Sequence, residues 1–164
     1  MNLGGLRRID SLGRIVMPKS IRKNLRIKSG DNLEIYTQKD TVIIKKHSDL
    51  KNIEKIIEIM IKIIKEIMPV NIYVIDKDKL IYPKKEALKK EIIKLQKQRQ
   101  IITKEEEIKI TTNLTLTKAT TVFPIIVNGD TYGSLIINSK EKLTQKNIST
   151  VNHFTNIIKK LLED

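Results

Sequence analysis

Arg7-Arg8-Ile9-Asp10-Ser11-Leu12-Gly13-Arg14-Ile15-Val16-Met17-Pro18-Lys19-Ser20-Ile21-Arg22-Lys23-Asn24-Leu25-Arg26-Ile27 packs turn formers, β-branched residues and cations into one short run. Residues 3–10 read as a short strand with Leu6 and Ile9 as its apolar positions. Asp10-Ser11-Leu12-Gly13 is a turn in which Gly13 takes positive φ without steric penalty. Residues 14–17 read as a second strand. Pro18 pushes Met17 into an extended conformation and suits the first position of a helix. That helix runs to about Leu25, with Ile21 and Leu25 on one face and Arg22 and Lys23 off it.

Downstream, Ser29-Gly30-Asp31-Asn32 is a turn, and residues 33–37 and 42–46 are two more strands around Lys39-Asp40. The module ends near residue 48. A core this small rarely stands alone without a disulfide, a metal or a partner chain. The chain has no cysteine, and its two histidines, His47 and His153, are far apart, so no metal site is expected. A second copy is the remaining way to cover Ile9, Ile15, Ile21, Leu25, Ile27, Leu33, Ile35, Ile43 and Ile44. The expectation is an obligate dimer at the N-terminus.

Residues 49–68 read as a linking helix. Ile53, Ile56, Met60, Ile63 and Ile67 step by three and four along an oligomerisation seam. Ile57, Ile59, Ile61 and Ile64 widen the apolar surface, so the helix is expected to pack on a sheet and on a partner helix. Six charged residues between 53 and 68 forbid a membrane span. No apolar secretory core precedes Asp10, so the chain is expected to be cytoplasmic. Strands are expected at 71–76, 80–82, 107–112, 120–127 and 132–138, with Asn128-Gly129-Asp130 as a hairpin turn. A charged helix is expected over roughly 84–100. A final helix starts at Thr144, with Ile148, Val151, Phe154, Ile158 and Leu161 on one face. The sum is an α+β chain whose second part is an antiparallel sheet flanked by helices at its two ends, with domains at 1–48, 49–68 (the linking helix) and 69–164.

Charge separates the parts. The 164 residues carry 32 Lys+Arg against 19 Asp+Glu, a net charge of +13, which points to a polyanionic partner. Residues 1–48 hold 11 of these cations against 4 acids, a net +7. Five of six arginines lie in the first 26 residues. A guanidinium grips a phosphate or a guanine edge bidentately, which an ammonium cannot. The remaining +6, mostly lysine, reads as background. No nucleophile–base pair, phosphate-binding glycine loop or metal spacing is present, which argues against an enzyme and against a bound cofactor. His153 reads as a partly buried structural residue and His47 as an exposed one. Glu105-Glu106-Glu107, Lys84-Lys85 and Lys89-Lys90 read as solvated runs.

The run at 7–27, continued by Gly30-Asp31, Leu33-Glu34-Ile35-Tyr36 and Ile43-Ile44-Lys45-Lys46, closely resembles the DNA-binding domain of the AbrB family. The resemblance implies a swapped-hairpin β-barrel in which two chains interleave their strands. It implies double-stranded DNA as partner and places the contacts on Arg7, Arg14, Arg22 and Lys23, with Arg8 beside the first approaching a phosphate. Val122-Phe123-Pro124-Ile125-Ile126-Val127-Asn128-Gly129-Asp130-Thr131-Tyr132-Gly133-Ser134-Leu135-Ile136-Ile137 is similar to the late hairpin of a GAF domain. Together the two parts resemble two-domain sporulation regulators. This implies a dimer or tetramer acting on late sporulation genes, as activator or repressor. A GAF-like domain would add self-association and a small-molecule pocket between the sheet and residues 77–118. Two rival readings stand beside it: the antitoxin of a toxin–antitoxin pair, and a regulator gated by a metabolite.

Overall fold

The computed structural model describes residues 6–25, 27–77, 79–83 and 86–163. The chain divides into two compact units, Met1–His47 and Ser48–Asp164.

In unit 1, helix α1 (Lys19–Asn24) follows Pro18, which sits at the N-cap rather than inside the helix. Strands β1 (Leu33–Gln38) and β2 (Thr41–Lys46) pair antiparallel from Leu33↔Lys46 to Gln38↔Thr41. Lys39 makes their two-residue turn at φ 51°. The strands expected at 3–10 and 14–17 do not form among the described residues of one chain; residues 3–5 lie outside them. A strand needs a neighbour to take up its backbone groups. Here the two arms meet only at their turn, where the Asp10 N–H donates to the Arg14 carbonyl (3.1 Å) and the Gly13 N–H to the Asp10 carbonyl (3.0 Å). Among the described residues of one chain, β1 and β2 pair with each other and form no closed barrel.

Unit 2 is built on a six-stranded antiparallel sheet. Its strands are β3 (Asn71–Asp76), β4 (Lys79–Tyr82), β5 (Glu86–Ala87), β6 (Ile102–Lys104), β9 (Ala119–Val127) and β10 (Asp130–Ser139), in the order β5-β4-β3-β10-β9-β6. Strands β7 (Ile108–Lys109) and β8 (Thr115–Leu116) form a separate small ladder. Asn128 and Gly129, at φ 48° and 84°, form the turn between β9 and β10. Both in the left-handed region, they give the strands the twist a two-residue hairpin needs.

The central strands alternate between two cores. Ile72, Val74, Phe123, Ile125, Leu135 and Ile137 face one side, with Leu50, Ile57, Ile61, Ile64, Val151 and Ile158. These come from helices α2 (Asp49–Asn52), α3 (Glu54–Ile67) and α5 (Gln145–Lys160). Ile75, Val122 and Ile136 face the other side, with Leu80, Leu88, Ile92, Ile108, Ile110 and Leu116; Ile92 belongs to α4 (Lys90–Gln96). A sheet buried on both faces reads as an unbroken apolar run, because neither set of alternate residues meets water. The helices therefore cover the faces of the sheet, not its two ends. The second face carries an apolar cluster formed with residues of the segment 77–118.

Several expected elements are shorter. The 49–68 helix breaks at Ile53 (φ −105°, ψ 18°). The helix expected over 84–100 covers only Lys90–Gln96, because Glu86 and Ala87 pair with β4 as an edge strand; Lys84 and Lys85 lie outside the described residues. The strand expected at 107–112 is confined to Ile108–Lys109. Helix α5 begins as expected at Thr144, whose hydroxyl accepts the Asn147 N–H at 3.2 Å.

Two local features position this architecture. At Gly133 the hairpin register shifts, and an added Cβ would lie 2.1 Å from the Ile75 carbonyl oxygen and 2.7 Å from Leu50 Cδ1. Only glycine allows the β3 backbone so close. On α3 the apolar stripe divides: Met60 is drawn into the core and Ile53 packs partly against it, while Ile56, Ile59, Ile63 and Ile67 stay exposed. Met60 is thus a core residue and not part of a free seam. A helix wrapped by apolar residues gives one face to its own sheet and leaves the rest uncovered. Among the described residues, no helix is long and apolar enough to cross a membrane.

Candidate nucleic-acid interface

Arg7, Arg8, Arg14, Arg22 and Lys23 are all exposed. Arg7 and Arg8 lie on the extended arm before the first turn, and Arg7 Nη1 donates to the Leu6 carbonyl at 3.0 Å. Arg22 and Lys23 lie on α1, in its last turn, where cations complement the exposed carbonyls. Arg26 falls outside the described residues.

Arg14 is held differently. Asp10 Oδ1 accepts the backbone N–H groups of Leu12 (3.0 Å) and Arg14 (2.8 Å), closing the turn. Its Oδ2 accepts Arg14 Nε at 2.7 Å. The Arg14 backbone N–H and then its guanidinium hold the Asp10 carboxyl below the usual carboxylate range. One carboxylate thus builds the turn and aims the guanidinium. It engages Nε and leaves the outer pair of nitrogens for a ligand. Asp10 reads from the sequence as a turn former only. The pattern Asp-x-x-Gly-Arg, four residues apart with a glycine before the cation, is the feature that reveals its second role.

The β1–β2 hairpin carries its own carboxylates. Glu34 pairs with Lys45 and, through Oε1 at 2.8 Å, with His47 Nδ1. Lys45 first and His47 second hold the Glu34 carboxyl below its ordinary value. Asp31 Oδ2 lies 3.3 Å from Lys46 Nζ. His47 is therefore half-buried against Glu34 rather than exposed. Arg8, Arg22 and Lys23 have no carboxylate partner among the described residues. Lys45 and Lys46 of the hairpin serve the fold, whereas Arg8, Arg22 and Lys23 are left for something else.

The apolar side chains of unit 1 share that condition. Among the described residues, every buried apolar side chain lies at Leu50 or beyond, whereas Leu6, Ile9, Leu12, Ile15, Val16, Leu25, Ile35, Tyr36 and Val42 are exposed. Cations and uncovered apolar groups occur in the same small module.

In unit 2, His153 is exposed, not partly buried, and its Nδ1 lies 2.9 Å from the Ser149 carbonyl. Glu105 pairs with Lys142 and Glu106 with Lys104, each at 3.1 Å. No cluster of residues able to hold a metal occurs among the described residues.

Residues 6–52 match the family model described as "Antidote-toxin recognition MazE, bacterial antitoxin". Residues of the same region are similar to the transition state regulatory protein AbrB of Bacillus subtilis, 43% identical over 44 residues, which is 27% of this chain and 46% of that protein. The similarity to stage V sporulation protein T of Bacillus subtilis extends much further: 31% identity over 151 residues, covering 85% of each chain. This chain belongs to the family of stage V sporulation protein T.

Proposed function

We propose that this chain is a DNA-binding transcription regulator of sporulation, acting in the cytoplasm on late sporulation genes. Unit 1 of two chains interleaves into a swapped-hairpin barrel. Arms 6–18 of one chain supply the strand neighbours that the other chain lacks. Leu6, Ile9, Ile15, Val16, Ile35 and Val42 then become a shared core, and two-fold symmetry doubles the cationic set of Arg7, Arg8, Arg14, Arg22 and Lys23. The observation that carries this reading is the coincidence, in one module, of exposed cations with apolar side chains that nothing in the chain covers. An interleaved dimer accounts for the second, and a phosphate backbone for the first.

Unit 2 is proposed to be a GAF-like domain that joins such dimers. Ile56, Ile59, Ile63 and Ile67 lie along one exposed side of α3 and fit the same helix of a second copy. A tetramer would carry two DNA-binding dimers and raise the effective concentration at paired sites.

The decisive measurement is DNA affinity against salt. Five cations per chain make ten per dimer. If six to ten phosphates are neutralised, log affinity falls with log salt at a slope of roughly −5 to −9. A slope shallower than about −2 would overturn the reading.

The antitoxin reading has one specific point in its favour, the description of the family model that matches residues 6–52. Antitoxins of this type engage a toxin through an extended tail. Residues 48–164 instead form a folded unit with two cores, which favours the regulator. A stoichiometric toxin recovered with the chain would reverse that preference.

A further inference from the structure

Lys65, Lys118 and Lys140 are far apart in sequence and read there as background charge. All three line one cleft of about 550 Å³ in unit 2. Strand register builds it at one end of the three central strands. Asn71 opens β3 opposite Asn138 near the end of β10, and Asn138 pairs in turn with Thr120 near the start of β9. Lys65 comes from the last turn of α3, Lys118 from the connector before β9, and Lys140 from just beyond β10.

The connector is held in a particular shape. Lys118 adopts φ 70°, a left-handed conformation that a side chain bearing a Cβ rarely takes. Such a residue persists where its surroundings over-determine it. Asn138 Nδ2 supplies that restraint, donating to the Thr117 carbonyl at 2.7 Å and to Thr120 Oγ1 at 3.0 Å. The charge is uncompensated. No carboxylate lines the cleft, and Lys118 and Lys140 have no ion-pair partner among the described residues. Lys65 has only the Tyr82 ring, with Nζ 5.8 Å from its centre.

Three ammoniums around one volume repel one another until an anion joins them. Lysine serves phosphate as a point charge. A volume of several hundred Å³ is that of a small-molecule site. Three lysines lining one cleft match a di- or trianionic group better than the singly charged, spaced phosphates of a duplex. We propose that this cleft binds a small phosphorylated metabolite, between a sugar phosphate and a mononucleotide in size, with Lys65, Lys118 and Lys140 around its phosphate. The site lies wholly in unit 2 and does not depend on the DNA-binding reading of unit 1.

The test uses the full chain and inorganic pyrophosphate, titrated by calorimetry at constant ionic strength. Saturable binding is expected below about 1 mM, with a rise in melting temperature by mass action. Lys118→Gln and Lys140→Gln should each weaken it, and together by about tenfold or more, as expected for lost charge-assisted contacts. Lys97→Gln, at the C-cap of α4, should leave it unchanged. Melting of each variant without ligand checks its fold; if the double variant melts early, the single variants carry the test. The proposal falls if no saturation occurs by about ten times that concentration, or if Lys97→Gln costs as much as the cleft variants. It falls too if the cleft variants lose DNA affinity while pyrophosphate binding is unchanged, since the lysines would then be a DNA surface.

Discussion

The hairpins β1–β2 and β9–β10 begin from similar instructions and end in opposite environments. Both are apolar strands joined by a two-residue turn with a left-handed residue, Lys39 in one and Asn128-Gly129 in the other. In the second, Phe123, Ile125, Leu135 and Ile136 are fully buried, because helices cover one face of the sheet and α4 with the β7–β8 ladder covers the other. In the first, Ile35 is 68% exposed and Val42 63%. Local sequence makes a hairpin, but only a second and third layer make a core. A two-stranded hairpin alone is at best marginal in water. Unit 2 owns its layers, whereas the apolar side chains of unit 1 stay exposed in the single chain.

The sharpest way to break this contrast is to place a charge where the proposed shared core should be. Ile15→Asp in the full chain should unfold unit 1, leave unit 2 folded, and abolish specific DNA binding. Burial of one such side chain is worth about 1.5–3 kcal/mol, counted twice in a symmetric dimer. Two separate melting transitions in the parent chain, with only the unit 1 transition missing in the variant, are the expected result. An unchanged unit 1 would mean that Ile15 stays in water. Gly133→Ala tests the other side. It should lower the unit 2 transition by about 1–3 kcal/mol, the range for overpacking, and leave unit 1 alone. Thr144→Ala should cost unit 2 about 1 kcal/mol by removing the α5 N-cap.

Smaller effects sharpen the role of charge in unit 1. Asp10→Ala should narrow the ratio of specific to non-specific DNA affinity by less than about tenfold, as for a solvent-exposed ion pair. Non-specific binding at low salt should not fall, because no cation is lost. An equal loss on both DNAs would reduce Asp10 to a structural turn residue. Glu34 gives the mildest effect. Its folded-state value is held low by Lys45 and His47, so its contribution is present above the ordinary glutamate value, about 4.3, and is lost as pH falls through the lower folded value. Glu34→Gln should flatten the acid limb of the unit 1 melting curve and leave that of unit 2 untouched.

Much of this was legible in the sequence, for identifiable reasons. Strand β3 falls at 71–76 as read, and the turn at Asn128-Gly129 and the cap at Thr144 were readable because each depends on residues within four positions. The helix expected over 84–100 failed because Glu86 and Ala87 are claimed by an edge of the sheet, a tertiary effect that no helical period reveals. Met60 lies in the core rather than on the seam because spacing gives the stripe but not which half of it meets the sheet. Asp10 was half-read: the turn was visible, and the grip on Arg14 was not.

By itself the sequence determined that residues 7–27 concentrate arginine, that the first 48 residues are a small module with no cysteine to staple it, and that the second part alternates strands and helices. These follow from charge, chain length and local propensity, which require no knowledge of distant neighbours. Only the tertiary structure decided that Lys45 and Lys46 are paired with carboxylates while, among the described residues, Arg8, Arg22 and Lys23 are not, that Met60 faces inward, and that Lys65, Lys118 and Lys140 meet around one cleft. Each of these depends on strand register and on which faces pack. Those are properties of pairs of residues far apart in the chain, and a linear pattern does not contain them.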